Sequence, residues 1–252
     1  MKKNVAAGFL SFALGFLPSD ASAAAIWMED FTYADGSLTN VSSLWTTHSG
    51  TATPILVSGN TVAGMSAGAG SREDSNRLLD TTYSTGVLFT GFDLTLSTTP
   101  VGSAYFLHFK DTTTGFRGRV FLSEPTVTGF RLGLENDGGD NAAPLPTTSD
   151  LNLGATYRVV LGYDTAAGTS RLWVNNLNEA SPTIEDTTPA ATLVAISALG
   201  LRQGGSATAT YTGLDIDNLI TATDFVSAVP EPSVYALGML GLATFCFLRR
   251  RK

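Results

Sequence analysis

The chain has 252 residues, 43% of them hydrophobic and 10% aromatic, which is enough apolar side chain for one sizeable core and too much for a disordered chain. Only 15% are charged, and the net charge of −7 understates the acidity of the middle: residues 26–226 carry 20 acids against 9 bases once the two ends are set aside. A surface with that balance, and with Lys110 as its only lysine, repels phosphate backbones, which excludes nucleic acid as a partner.

Residues 1–23 read as a secretory signal peptide, an N-terminal signal helix removed by signal peptidase. Lys2 and Lys3 supply the positive start, Val5–Leu17 the apolar stretch, and Pro18 breaks the helix. Ala21 and Ala23 are the small residues that the peptidase pocket accepts, and the apolar stretch is short of the roughly 20 residues of a spanning helix.

Residues 26–226 form one predicted domain of about a dozen short strands, because apolar and polar residues alternate between Gly, Asp and Asn clusters. Gly64-Met65-Ser66-Ala67-Gly68 matches the spacing of a nucleophile elbow, but no helix pattern follows it, so a loop is expected there. Phe92–Ser97 alternates cleanly. Tyr105–Lys110 and Phe116–Leu122 flank Asp111–Gly115, a predicted hairpin turn, and Phe130–Glu135 precedes the turn-rich Asn136–Asp140. A second hairpin joins Tyr157–Tyr163 to Ser170–Asn175 through Asp164–Gly168. Late strands are expected at Ala198–Arg202, Thr208–Tyr211 and Leu214–Ile220. This pattern predicts an all-β, two-sheet antiparallel sandwich.

The C-terminal segment 229–252 has three parts. Val229-Pro230-Glu231-Pro232-Ser233 is followed by the apolar run 234–248 and by the basic tail 249–252. The two prolines hold the backbone extended. As a transmembrane helix the run spans roughly 22 Å, short of a hydrocarbon core of about 30 Å, so it is a marginal permanent anchor. The basic tail stays in the cytoplasm and everything before it lies outside.

This end resembles the PEP-CTERM sorting domain. The resemblance implies recognition of Pro230, Glu231 and Pro232 by an exosortase-type membrane enzyme in a Gram-negative host that makes exopolysaccharide. The protein would pass through an inner-membrane intermediate to the cell surface or extracellular matrix. A second resemblance rests on Val159-Val-Leu-Gly-Tyr-Asp164, Leu172-Trp-Val-Asn175, Leu214-Asp-Ile-Asp-Asn-Leu219 and the opening Asp30–Leu38 with Trp45. These are similar to strands of laminin-G-like and concanavalin A-like jelly rolls, a fold that hosts lectins, hydrolases and inert spacers alike.

Candidate chemistry is sparse. Glycoside hydrolysis needs paired carboxylates on one strand face, and Glu135-Asn136-Asp137 runs straight into Gly138-Gly139. His48 and His108 lie far apart in sequence without clustered partners, which argues against zinc; His108 reads as a sheet-face residue alternating with Phe106 and Lys110. A structural calcium is the better candidate. Glu29 and Asp30 open the first strand, Asp215 and Asp217 sit in the last, and in jelly rolls these strands often neighbour each other. Asp137 and Asp140 form a weaker loop site. Trp45 and Trp173 are candidate stacking platforms for sugar rings, although large aromatics of a sandwich, Trp27 included, more often fill the core. The expected function is a lectin-like surface or matrix protein associated with extracellular polysaccharide. The alternatives are a ligand-free spacer and a glycan-active hydrolase.

Overall fold

The computed structural model describes residues 25–136 and 146–229. The signal peptide, Asp137, Asp140, residues 230–233 of the sorting motif, the apolar run and the basic tail therefore lie outside the described residues. Strand accounts for 56% and helix for 4%, so the protein is all-β. In chain order the elements are β1 (Ala25–Glu29), β2 (Gly36–Ser37), α1 (Leu38–Val41), β3 (Trp45–Ser49), β4 (Leu56–Ser58), β5 (Thr61–Ala67), β6 (Asp74–Tyr83) and β7 (Val87–Leu96). They continue with β8 (Ser103–Lys110), β9 (Phe116–Ser123), β10 (Arg131–Glu135), β11 (Thr156–Asp164), β12 (Thr169–Val174), β13 (Ile184–Asp186), β14 (Ile196–Leu201), β15 (Tyr211–Ala222) and α2 (Phe225–Ala228).

Two antiparallel sheets result. The first, of nine strands, runs β13-β12-β11-β7-β15-β5-β4-β2, with β1 also paired to β15; the second, of six, runs β10-β9-β8-β14-β6-β3. The expected neighbourhood of first and last strands holds, with Met28 opposite Ile220 and Glu29 opposite Leu219. Both expected hairpins form as β8–β9 and β11–β12. The core lies between the sheets, where Phe92, Leu94, Phe106, Phe109, Leu122, Val159, Leu161, Leu199, Leu214 and Ile216 pack with negligible exposure. Period-two alternation places every second residue of a strand on this inner face and leaves the rest on an outer face.

Two expectations need correction. Gly64–Gly68 is not a loop: Gly64 to Ala67 belong to β5, and Gly64, at φ 64°, makes a bulge that only a residue without Cβ adopts easily. Ser66 accepts from the Arg72 guanidinium at 2.9 Å and has no place at a strand-to-helix turn. The late strand expected at Thr208–Tyr211 does not form: Ala209 and Thr210 make only isolated bridges, and Tyr211 joins Leu214–Ile220 in one long strand, β15, kinked at Gly213 (φ 67°).

Candidate functional site

The outer face of the six-stranded sheet is where charge and aromatic surface meet. A register irregularity in β8 between Tyr105 and Leu107 lets Phe106, Leu107 and Phe109 all enter the core, while Tyr105, His108 and Lys110 point outward. His108 thus shares its face with Lys110, as alternation predicts, but not with Phe106. Antiparallel register carries the same face across the sheet: His108 lies opposite Gly200, Lys110 opposite Ala198, Tyr105 opposite Phe121, Arg119 opposite Glu135 and Arg131 opposite Ser123. Arg202 follows β14 on the same side and reaches Asp74 at 3.5 Å. Four of the nine bases of an acidic domain, Lys110, Arg119, Arg131 and Arg202, therefore gather on one sheet face.

At the centre of this face Tyr105 holds two guanidinium groups over its ring, Arg202 at 4.1 Å and Arg119 at 5.3 Å from the centroid. Arg119 also approaches Glu135 at 3.5 Å. His108 packs edge-on against Tyr105 (5.5 Å), tilted on Phe116 (4.4 Å), and edge-on to His48, whose ring lies 5.6 Å away. The two histidines, 60 positions apart in the chain, are thus neighbours. Sequence spacing hid this, because β3 and β8 are separated in the sheet by β6 and β14. Gly200 makes the arrangement possible, since a Cβ there would sit 2.6 Å from His108 Nε2.

His108 is wholly buried, and neither of its ring nitrogens has a hydrogen-bond partner among the described residues; the same is true of His48 Nε2. Burial holds the His108 imidazole well below its usual pKa, and the positive charges of His48, Arg202, Lys110 and Arg119 push it further the same way. His48 is lowered too, chiefly by burial, with Asp74 opposing and Lys110 and Arg202 adding to the shift. Desolvation also lowers Lys110, partly offset by Asp111. A neutral imidazole keeps one N–H donor and one acceptor. Left unpaired in the interior, each costs about 1–3 kcal/mol, a cost that a bound group removes. The cations around the pair disfavour a metal ion and favour an anion.

The calcium candidates do not form one set. The Glu29 carboxylate is consumed by the fold: it accepts from the Phe31 N–H (3.0 Å), Tyr33 Oη (2.9 Å), Trp45 Nε1 (2.9 Å) and Arg77 Nη1 (2.8 Å). Phe31, whose N–H makes the first of these bonds, sits at φ 50°, in the left-handed region. Asp30 is exposed and accepts from Thr32, while Asp215 accepts from the Gly64 N–H at 2.7 Å. Asp217 faces Asp93 across β7 and β15, and its carboxyl is pushed up by desolvation first and then by Asp93 and Asp30. Asn218 donates to Asp93 at 2.7 Å. Among the described residues no group of three or more His, Cys, Asp or Glu side chains is placed to hold a metal ion.

Both tryptophans named as sugar platforms are interior. Trp45 is 1% exposed and packs on Phe31, with ring centroids 6.2 Å apart; Trp173 is 1% exposed and packs on Phe225 at 4.8 Å. Neither offers a free indole face. Trp27 is half-buried beneath the Arg77 guanidinium.

The sheets and their topology are shared with other proteins. Aligned to solved structures, the chain superimposes on part of a sialidase with a TM-score of 0.50 at 16% identity, covering 77% of this chain and 19% of that one. It therefore spans about a fifth of that sialidase, and the likeness is one of fold. The potassium-bound carbohydrate recognition domain of Emp46p (0.47, 11% identity, 81% and 98% covered) and a mutant of alginate lyase Aly36B in complex with alginate trisaccharide (0.49, 13%, 80% and 99%) also align. The likeness is therefore one of architecture, an all-β, two-sheet antiparallel sandwich. No curated protein sequence matches the chain. Residues 228–252 match the model of the PEP-CTERM protein-sorting motif. The chain carries a PEP-CTERM sorting signal. Such a signal marks an exported protein and implies processing by an exosortase. Val229 is the one residue of the 229–233 segment that the structure describes, and it packs against the sandwich beside α2. No helix among the described residues is long and apolar enough to cross a membrane.

Proposed function

We propose that this is an exosortase-processed protein of the cell surface or extracellular matrix of a Gram-negative bacterium, and that its sandwich binds acidic polysaccharide on the outer face of the six-stranded sheet. The observation behind this reading is the concentration of Lys110, Arg119 and Arg202 around buried His108 and half-buried His48, with Arg131 further along the same face and three ring nitrogens unpaired among the described residues, in a domain that elsewhere is strongly acidic. Guanidinium groups bind carboxylates with paired hydrogen bonds, and those of Arg119 and Arg202 lie over the buried ring of Tyr105, which packs on Phe121. The face meets solvent along its β6 and β3 side, where Leu78 is 65% exposed and Thr46 is exposed, which offers a route for a chain-like ligand. The bases attract an acidic chain, while the acidic remainder of the surface repels it, so binding is confined to this face and weakens with salt.

The test is binding of the mature protein to a panel of uronate-rich, sulfated and neutral polysaccharides at two ionic strengths. Uronate-rich chains should bind at low salt, and Lys110→Gln with Arg119→Gln should lower that affinity about tenfold or more. Binding of neutral chains alone, or binding indifferent to both substitutions, rejects the site; binding to none of the panel leaves the protein a spacer.

A further inference from the structure

The nine-stranded sheet has a second, small apolar cluster on its outer face, separate from the core. Phe89, Val160, Trp173, Ala222, Phe225 and Ala228 form it, with Val87 and Val229 at its margin. The helix α2 closes this cluster. Asp224 caps it by accepting from the Ser227 N–H at 2.9 Å, and Phe225 inserts between Trp173 (4.8 Å) and Phe89 (5.9 Å, edge-on). The end of the helix is then pinned. Arg158 Nη2 donates to the Ala228 carbonyl at 2.7 Å, and the Val229 N–H bonds to Val226 O at 3.2 Å. The contact with the sheet is so close that a Cβ on Gly91 would lie 1.9 Å from Ala228 O. The matched sorting signal begins at residue 228, so the fold grips the chain at the point where the signal starts.

Docking sets how far the signal can reach. With α2 on the sheet, only Val229–Ser233 separate the pinned Ala228 from the apolar run, a span of at most about 18 Å. With α2 released, the free segment is Thr223–Ser233 and its reach about doubles, to roughly 38 Å. Docking also uses the backbone groups that a peptide-processing cleft needs. Enzymes that take extended peptides bond their main-chain N–H and C=O groups in strand fashion. Here the residues just before the motif are helical, with the Ala228 carbonyl and Val229 N–H already bonded.

We propose that α2 is a strap that withholds the sorting signal, and that the processing enzyme acts on the fraction of molecules in which α2 has left the sheet. Phe225, Gly91 and Arg158 are then positioning residues for processing. A four-residue terminal helix held by two buried side chains belongs to the part of a fold that opens locally without global unfolding. The processing rate follows the open fraction.

The experiment follows removal of the C-terminal tail by pulse-chase of the full-length chain in a host that contains the processing enzyme. Gly91→Ala fits the strand geometry and clashes only with the docked chain and the Arg158 guanidinium, so it releases α2 with little other change. It should speed tail removal about tenfold, as should Phe225→Ala, whereas Phe225→Leu should stay near the parent rate. Inserting six Gly/Ser residues between Ala228 and Val229 lengthens the tether with α2 still docked, and should speed removal to a similar level without adding to Gly91→Ala. Slower processing in these variants would mean that docking presents the signal, which overturns the strap. Unchanged processing alongside a lowered melting temperature would make α2 a packing element only, and overturns it equally.

Discussion

The outer faces of the two sheets are built by the same rule and end differently. On the nine-stranded sheet, Phe89, Val160 and Trp173 face outward and the chain covers them with its own helix α2; the rest of that face carries Asp93, Asp215 and Asp217. On the six-stranded sheet the outward positions hold Tyr105, His108, Lys110, Arg119 and Arg202, with cations lying over aromatic rings. One face covers its outward aromatics with its own helix and pairs Arg158 with Asp93; the other gathers cations around a histidine with neither nitrogen bonded. An outward residue therefore does not mean an exposed one, and at His108, where both ring nitrogens are unpaired among the described residues, a bound group would relieve a cost.

The comparison breaks most visibly at Trp173. Trp173→Ala should cost about 3–5 kcal/mol in urea unfolding, the range for loss of a buried large aromatic, and it should expose α2 to proteolysis. A loss under about 1 kcal/mol would mean the second cluster contributes little. Next comes Gly200→Ala, which drives a methyl group into His108 Nε2. The overpacking should cost about 1–3 kcal/mol, and binding of acidic polysaccharide should weaken with it; a fully stable variant would show that the ring has room to move.

The basic face should also impose a pH signature. Folding lowers the pKa of His108 and His48, so the unfolded state takes up protons first as pH falls below about 6.5. Stability should drop from that point at up to about 1.4 kcal/mol per pH unit for His108, until the folded-state pKa is reached. His108→Gln should flatten the curve of melting temperature between pH 6.5 and 5, and an equally steep curve in that variant would assign the effect elsewhere. The smallest effect belongs to the acidic face. The raised pKa of Asp217 means that its charge opposes folding above its folded-state pKa and ceases to do so as pH falls through that value. Asp217→Asn should bring a slight, solvent-screened gain at neutral pH that vanishes in acid; a loss at neutral pH would show that the carboxylate has a favourable partner, such as a cation.

The alternation of Phe92–Ser97 and Tyr157–Tyr163 was legible because a strand half-buried on one side must repeat every second residue. β5 and β6 were less legible: Val62-Ala63-Gly64-Met65-Ser66 and Asp74-Ser75-Asn76 are rich in small and polar residues, and only pairing with β15 and β14 makes strands of them. The carboxylate of Glu29 looked like a metal ligand because nothing local announces Tyr33, Trp45 and Arg77 converging on it. The indole of Trp173 looked like a platform because the helix that covers it comes 52 positions later.

By itself the sequence determined the sorting signal, the acidic balance and the β class, since each depends on composition or on spacing along a short stretch of chain. Which residues form a site was decided only by tertiary structure. The shifted register in β8 turns His108 and Lys110 outward together, and the strand order of the six-stranded sheet brings His48 to them. Pairing register and strand order are properties of the whole sheet, and no local pattern encodes them.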